Sequence, residues 1–126
     1  MKETFAVAIS CMDGRIQSPV KKFVKNKFHV DYVDMVTDAG PDRILAEGTN
    51  ECLVDSIKNN VRISIEKHNA KAIAVIGHFD CAGNPVDKKQ QIEDIKKAVD
   101  RVKSWGFNKK VIGIWVNHKW RAEEIR

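Results

Sequence analysis

The sequence has little to hold it in a membrane or to cross-link it. No apolar run approaches the ~20 residues needed to cross a bilayer; the longest, such as Ala72–Ile76, spans five, so no membrane association is expected. Cysteine is scarce and odd in number, three in 126 residues. That excludes a disulfide framework as the organising principle and points toward thiolate or metal chemistry in a reducing compartment. With only 3 prolines and 7 glycines, the chain is neither fibrous nor of low complexity. A concentrated basic face with interleaved aromatics is also missing. The 22 Lys and Arg outnumber the 17 Asp and Glu, for a net charge of +5, but they are scattered in pairs such as Lys21-Lys22, Lys88-Lys89 and Lys109-Lys110. Such scatter describes a solvated surface, and no nucleic-acid partner is expected. Lys2 and Glu3 lead into a strand-like apolar run without a small-residue cleavage site, so no secretory signal is read and the expected location is the cytoplasm.

What is present is enough for one core. A hydrophobic share of 43% with 31% charged residues fits a single packed domain over residues 1–126. Phe5-Ala-Val-Ala-Ile-Ser10 reads as a buried strand ending near Asp13-Gly14. After Pro19, the positions Val20, Phe23, Val24 and Phe28 make one apolar helical face. Tyr32–Thr37 is a second strand, stopped by Asp38-Ala-Gly-Pro41. A loop through Gly48 then precedes a longer helix with the stripe Leu53, Ile57, Val61 and Ile65, closed by Lys67 and His68. Ala72–Ile76 is a third strand, apolar throughout as expected when both faces are covered. Ile92, Ile95, Val99 and Val102 mark another helix, ending near Trp105 and Gly106. Val111–Val116 is a fourth strand before a polar tail. This alternation predicts a three-layer α/β domain with a parallel sheet of about four strands and helices on both faces.

In open parallel sheets ligands bind beyond the carboxyl ends of the strands, where strand order reverses. With strand order 2-1-3-4, Cys11-Met-Asp-Gly-Arg15 and Gly77-His-Phe-Asp-Cys81 would converge there. Cys11, His78 and Cys81 offer two sulfurs and an imidazole, a set suited to a tetrahedral divalent ion, with zinc favoured on softness and geometry. Three ligands leave a fourth position for an acidified water, or for Asp13. Arg15 can hold Asp13 ionised and aimed through a bidentate pair. The plainer alternative makes Cys11 a small buried strand residue, His78 a satisfied loop histidine, and Asp13–Arg15 a surface ion pair. Thiol catalysis by Cys11 is a third reading. A phosphatase-type loop would want arginine at position 17, where the chain has Gln17.

These segments resemble the C-x-D-x-R and H-x-x-C signatures of the β-class carbonic anhydrases, and in particular a compact carbonic-anhydrase-like group. Thr37-Asp-Ala-Gly40 resembles that family's Asn-Ala-Gly loop, and the likeness covers roughly residues 5 to 117. The resemblance implies a parallel sheet ordered 2-1-3-4, a dimer with clefts near the subunit interface, and zinc on Cys11, His78 and Cys81. It implies attack of zinc hydroxide on carbon dioxide to give bicarbonate. Asp13 would accept a hydrogen bond from that hydroxide, Arg15 would clamp Asp13, and Asp13 would move onto zinc in a closed form. The chain departs from the family in reaching its first strand by residue 5, where family enzymes carry helices that wrap the partner. No residue matches the family's substrate-contacting glutamine, and Gln17 is not its counterpart. After Cys81 the chain reads Ala-Gly-Asn-Pro85, displacing the usual glycine. Carbonyl sulfide or carbon disulfide hydrolysis, and a non-catalytic zinc-binding protein, are the competing functions.

Other residues receive lesser assignments. Phe79, Tyr32 and Ile16 are candidate pocket walls. Cys52 is expected to be an inert core thiol, and His29, His68 and His118 carry no chemistry. Trp105, Trp115 and Trp120 are expected to pack the last helix and strand or a dimer contact. Asp42 and Arg43 could reach across a dimer, but a surface pair is the commoner arrangement.

Overall fold

A computed structural model describes residues 2–126. Five strands and four helices follow one another along it: β1 (Phe5–Cys11), α1 (Gln17–Phe28), β2 (Tyr32–Asp38), α2 (Pro41–Glu47), α3 (Glu51–His68), β3 (Ala72–His78), α4 (Lys88–Ser104), β4 (Lys110–Val116) and β5 (Ala122–Ile125). The sheet is ordered β2-β1-β3-β4-β5. The first four strands are parallel, with Val7, Ala8 and Ile9 of β1 opposite Ile73, Ala74 and Val75 of β3. The expected 2-1-3-4 order is therefore present and is extended by one strand.

That extension corrects the reading of residues 117–126 as a polar tail. β5 runs antiparallel to β4, so the sheet is mixed. The turn before it is built on Asn117, whose Oδ1 accepts from the N–H groups of Lys119 and Arg121 at 2.9 and 3.1 Å. The strand itself is Ala-Glu-Glu-Ile, and its charge hides it from a periodicity argument. Glu124 nonetheless meets Lys27 of α1 at 2.8 Å, while Ile125 packs over Gly113.

Two cores flank the sheet. On one face Val20 and Val24 of α1 pack with Ala6, Ala8, Ala74, Ile76, Ile112 and Ile114; on the other, Leu45, Ile57, Val61, Ala98 and Val102 cover Val7, Ile9, Ile73 and Val75. Every residue of β3 is buried, as its uninterrupted apolar run predicts. The α3 stripe is Val54, Ile57, Val61 and Ser64, turned slightly from the expected one, so that Leu53 and Ile65 lie at its half-buried margin. This rotation leaves Cys52 exposed, contrary to its expected place in the core. The segment expected as a loop through Gly48 contains α2, signalled by Pro41 in its first turn and by Gly48 closing it at φ +68°. Among the described residues no helix is long and apolar enough to cross a membrane.

Candidate metal centre

Because β1 and β3 are adjacent and parallel, their carboxyl ends bring Cys11 and His78 together, and the turn after β3 returns Cys81 to the same place. One ligand atom from each of the three buried side chains lies within 4.8 Å of the others. The two sulfurs are 3.8 Å apart. His78 Nδ1 lies 2.8 Å from the carbonyl oxygen of Phe79. A carbonyl can only accept, so Nδ1 carries a proton and Nε2 is the nitrogen left to face a metal. That Nε2 is buried and has no hydrogen-bond partner. A buried ring nitrogen left without a partner beside two cysteines suits a metal site, and the set fits a borderline-soft ion such as zinc.

The electrostatics agree with the donor set. The Cys81 thiol bonds to Cys11 and pulls the Cys11 pKa down to about 4 against the opposing effect of burial; His78 and the backbone N–H groups of Gly40 and Asp13 assist. Cys81, donating to that thiolate and buried beside it, is pushed up. The shared thiol hydrogen bond thus favours a thiolate at Cys11. Burial disfavours the His78 imidazolium, but the neighbouring Cys11 thiolate and the Phe79 carbonyl outweigh it, and the net displacement is upward. Metal binding must therefore expel protons from this cluster.

Asp13 and Arg15 leave β1 immediately after Cys11. Arg15 Nε donates to Asp13 Oδ1 at 3.1 Å and Nη2 donates to Oδ2 at 2.7 Å. The Arg15 backbone N–H adds a third bond to Oδ1 at 2.9 Å. The guanidinium hydrogen bond holds the Asp13 carboxyl down to about 2, well below its ordinary value. Arg15 also donates to the Asp80 carboxylate at 3.3 Å and to the Asp80 carbonyl at 3.2 Å, and its guanidinium carbon stands 4.5 Å over the centre of the Trp120 ring. Gln17 braces the loop from below, its Nε2 donating to the carbonyls of Cys11 at 2.9 Å and Asp13 at 2.7 Å. In the sequence Gln17 counts against a phosphatase loop and does not match the substrate-contacting glutamine; its position at the start of α1 was the available signal for this brace.

The turn carrying Cys81 is pinned from the other face of the sheet. A Cβ on Gly83 would lie 2.4 Å from the backbone carbon of Ala39 and 2.5 Å from the nitrogen of Gly40, so the loops after β2 and β3 touch backbone to backbone. Replacing Gly83 by alanine is expected to cost about 1–3 kcal/mol through overpacking, read as a lowered urea midpoint with an unchanged slope. Behind the same turn lies a network that was not foreseen. Asn84 donates to Asp42 at 3.2 Å and to Asp94 at 2.9 Å, while Gln91 donates to the Asn84 carbonyl at 2.8 Å. Asp42 is 1% exposed and Arg43 pairs with Glu47, which corrects the expected Asp42–Arg43 surface pair. Burial pushes the Asp42 carboxyl up to about 7. Unfolding releases that proton, so between pH ~4 and ~7 the unfolded chain binds fewer protons and stability falls as pH rises. Asp42→Asn should remove this slope, worth up to about 4 kcal/mol, in urea titrations repeated across that range.

Of the candidate walls, Phe79 stands 46% exposed beside the site. Ile16 is fully buried beneath it. Tyr32 lies at the amino end of β2 against Phe5, at the far end of the sheet, and is not a wall. A cavity of about 600 Å³ opens beside the Cys-His-Cys cluster, bounded by Arg15, Phe79, Cys81, Lys88 and Trp115 among others. His68, assigned no chemistry, pairs with Asp34 at 2.6 Å away from this region.

The domain is thus an α/β fold whose mixed sheet brings a Cys-His-Cys cluster to the carboxyl ends of its parallel strands. The sequence model of the family described as "Putative carbonic anhydrase" matches residues 1–126, and the chain belongs to that family. No curated protein matches it. Among solved structures it is similar to β-carbonic anhydrase isoform I of the protozoan Trichomonas vaginalis, at 19% identity and a TM-score of 0.59, covering 94% of this chain and 81% of that one. It is similar to the carbonic anhydrase of Glaciozyma antarctica, at 19% identity and a TM-score of 0.58, covering 95% and 81%. Tetrameric β-carbonic anhydrases of the filamentous ascomycete Sordaria macrospora also align, at 11% identity and a TM-score of 0.59, covering 99% and 82%. At these identities the likeness is one of fold.

Proposed function

We propose that the protein is a zinc-dependent lyase that hydrates carbon dioxide reversibly to bicarbonate, with zinc held by Cys11, His78 and Cys81. The observation carrying this reading is the buried His78 Nε2, without a hydrogen-bond partner among the described residues, in a Cys11–His78–Cys81 cluster whose ligand atoms lie within 4.8 Å of one another, beside a carboxylate kept ionised by Arg15. A divalent ion on these donors supplies Lewis acidity and a water whose pKa falls to ~7. The protein's own part is to aim that water. Asp13, acceptor-only and fixed at both oxygens by Arg15, would accept a hydrogen bond from that nucleophile and so orient its lone pair toward the substrate carbon. The loop from Cys11 to Arg15, braced by Gln17, keeps carboxylate and ligand in fixed relation. Asp13 is also the residue that would fill the fourth position in a closed state.

The reading includes a homo-oligomer, as in the tetrameric Sordaria enzymes. Met12 and Val86, with 66% and 42% of their surface exposed, supply apolar area near the site of the kind a second copy would cover. It also places the protein in the cytoplasm, where a reducing environment keeps both sulfurs available to metal. Stopped-flow carbon dioxide hydration by zinc-loaded protein from pH 6 to 9 tests the activity. Turnover that rises toward alkaline pH is expected; zinc-loaded protein without turnover overturns the lyase reading.

A further inference from the structure

Arg15 is held on three sides, and only one of them is Asp13. The Asp80 carboxylate receives Nη1 at 3.3 Å, the Asp80 carbonyl receives Nη2 at 3.2 Å, and the Trp120 ring lies against the guanidinium face at 4.5 Å. Both added contacts come from residues in a backbone conformation that non-glycine residues seldom adopt: φ is +57° at Asp80 and +58° at Trp120. In Asp80 this conformation delivers carbonyl and carboxylate to one guanidinium. Trp120 is presented by the turn between β4 and β5, where Asn117 Oδ1 accepts two N–H groups and the Trp120 N–H bonds to the Asn117 carbonyl at 2.9 Å. The edge of Phe79 flanks the Trp120 ring, with centroids 6.3 Å apart. A turn this constrained, on the strand most easily mistaken for a tail, does more than close a hairpin.

We infer that Trp120 and Asp80 are positioning residues for Asp13: they fix the Arg15 guanidinium in advance and so set how readily Asp13 leaves it for the metal's fourth position. This rests on the reading of Asp13 given above. A free arginine loses much rotamer freedom when it pairs, whereas a fork already oriented by an aromatic face and a second carboxylate does not. Asp13 therefore meets a fixed bidentate partner and is retained on it, leaving the metal open. Loosening the fork shifts Asp13 toward the metal. An aromatic face over an exposed guanidinium is a modest attraction, and its loss should move the balance roughly two- to fivefold.

If Trp120 only fills space, leucine would serve as well, so the test compares Trp120→Leu, Trp120→Phe and Asp80→Asn with the native protein. Thiocyanate competes with Asp13 for the fourth position, and its affinity for cobalt-loaded protein is read from the visible spectrum. The Leu and Asn variants are expected to bind thiocyanate roughly two- to fivefold more weakly, with the Phe variant closer to native. In the same variants the Arg15 Nε–H resonance should exchange faster with solvent. Native thiocyanate affinity and native exchange in both the Leu and Asn variants would overturn the inference. Absence of carbon dioxide hydration in the native protein would instead overturn the lyase reading, and the two spectroscopic readouts would still decide the clamp.

Discussion

Cys81→Ser is expected to abolish stable zinc binding, lowering affinity by roughly two orders of magnitude or more, since even outer-shell changes at such sites cost 10–100-fold. Serine is nearly isosteric but its hydroxyl is hard, and at neutral pH it stays protonated, so it replaces neither the charge nor the softness of the thiolate. The fold should survive, because Cys81 lies in a turn whose position is also fixed by the Gly40–Gly83 contact and by Asn84, whose N–H bonds to the Cys81 carbonyl at 3.3 Å. Metal analysis of protein purified without chelator, beside far-ultraviolet circular dichroism, separates the two effects. Full zinc retention with native secondary structure would remove Cys81 from the ligand set.

Asp13→Asn should do the reverse, keeping zinc while removing most of the activity. Asparagine preserves size but can no longer serve as an acceptor-only carboxylate, and positioned proton-handling groups typically contribute ~10²–10⁴-fold. A fall in kcat/KM of that order is expected in stopped-flow assays. Arg15→Ala should also retain zinc and lose activity, since Asp13 without its clamp is released toward the metal's fourth position and the open form is impaired. Neither change should cost much stability. The Arg15 side chain is 46% exposed, and exposed ion pairs contribute only about 0–1 kcal/mol. Large activity losses with near-native urea midpoints would mark the pair as functional rather than structural.

The legible part of this fold was its apolar part. β3 announces itself because every residue is buried, and the strand ends locate the Cys-His-Cys cluster once the parallel order is assumed. Illegible were the elements whose burial is not hydrophobic. β5 carries two adjacent glutamates and is held by Lys27 and by the Asn117 turn. Asp42 is a charged residue type whose solvent is replaced by Asn84, and no single-residue propensity announces that. Cys52 was misplaced because the α3 stripe passes through Val54 rather than Leu53, a rotation that periodicity does not resolve in an eighteen-residue helix. Trp120 was assigned to packing because nothing in its sequence neighbourhood places it against an arginine 105 positions earlier.

X-ray absorption at the zinc K edge of the purified, zinc-bound protein tests the central claim most directly. A four-coordinate site is expected, with two sulfurs at ~2.3 Å and two nitrogen or oxygen donors at ~2.0–2.2 Å, and the sulfur shell should fall to one in any zinc retained by Cys81→Ser. A spectrum of zinc without sulfur neighbours, or reduced protein that takes up no zinc, would contradict the assignment of Cys11, His78 and Cys81 as its ligands.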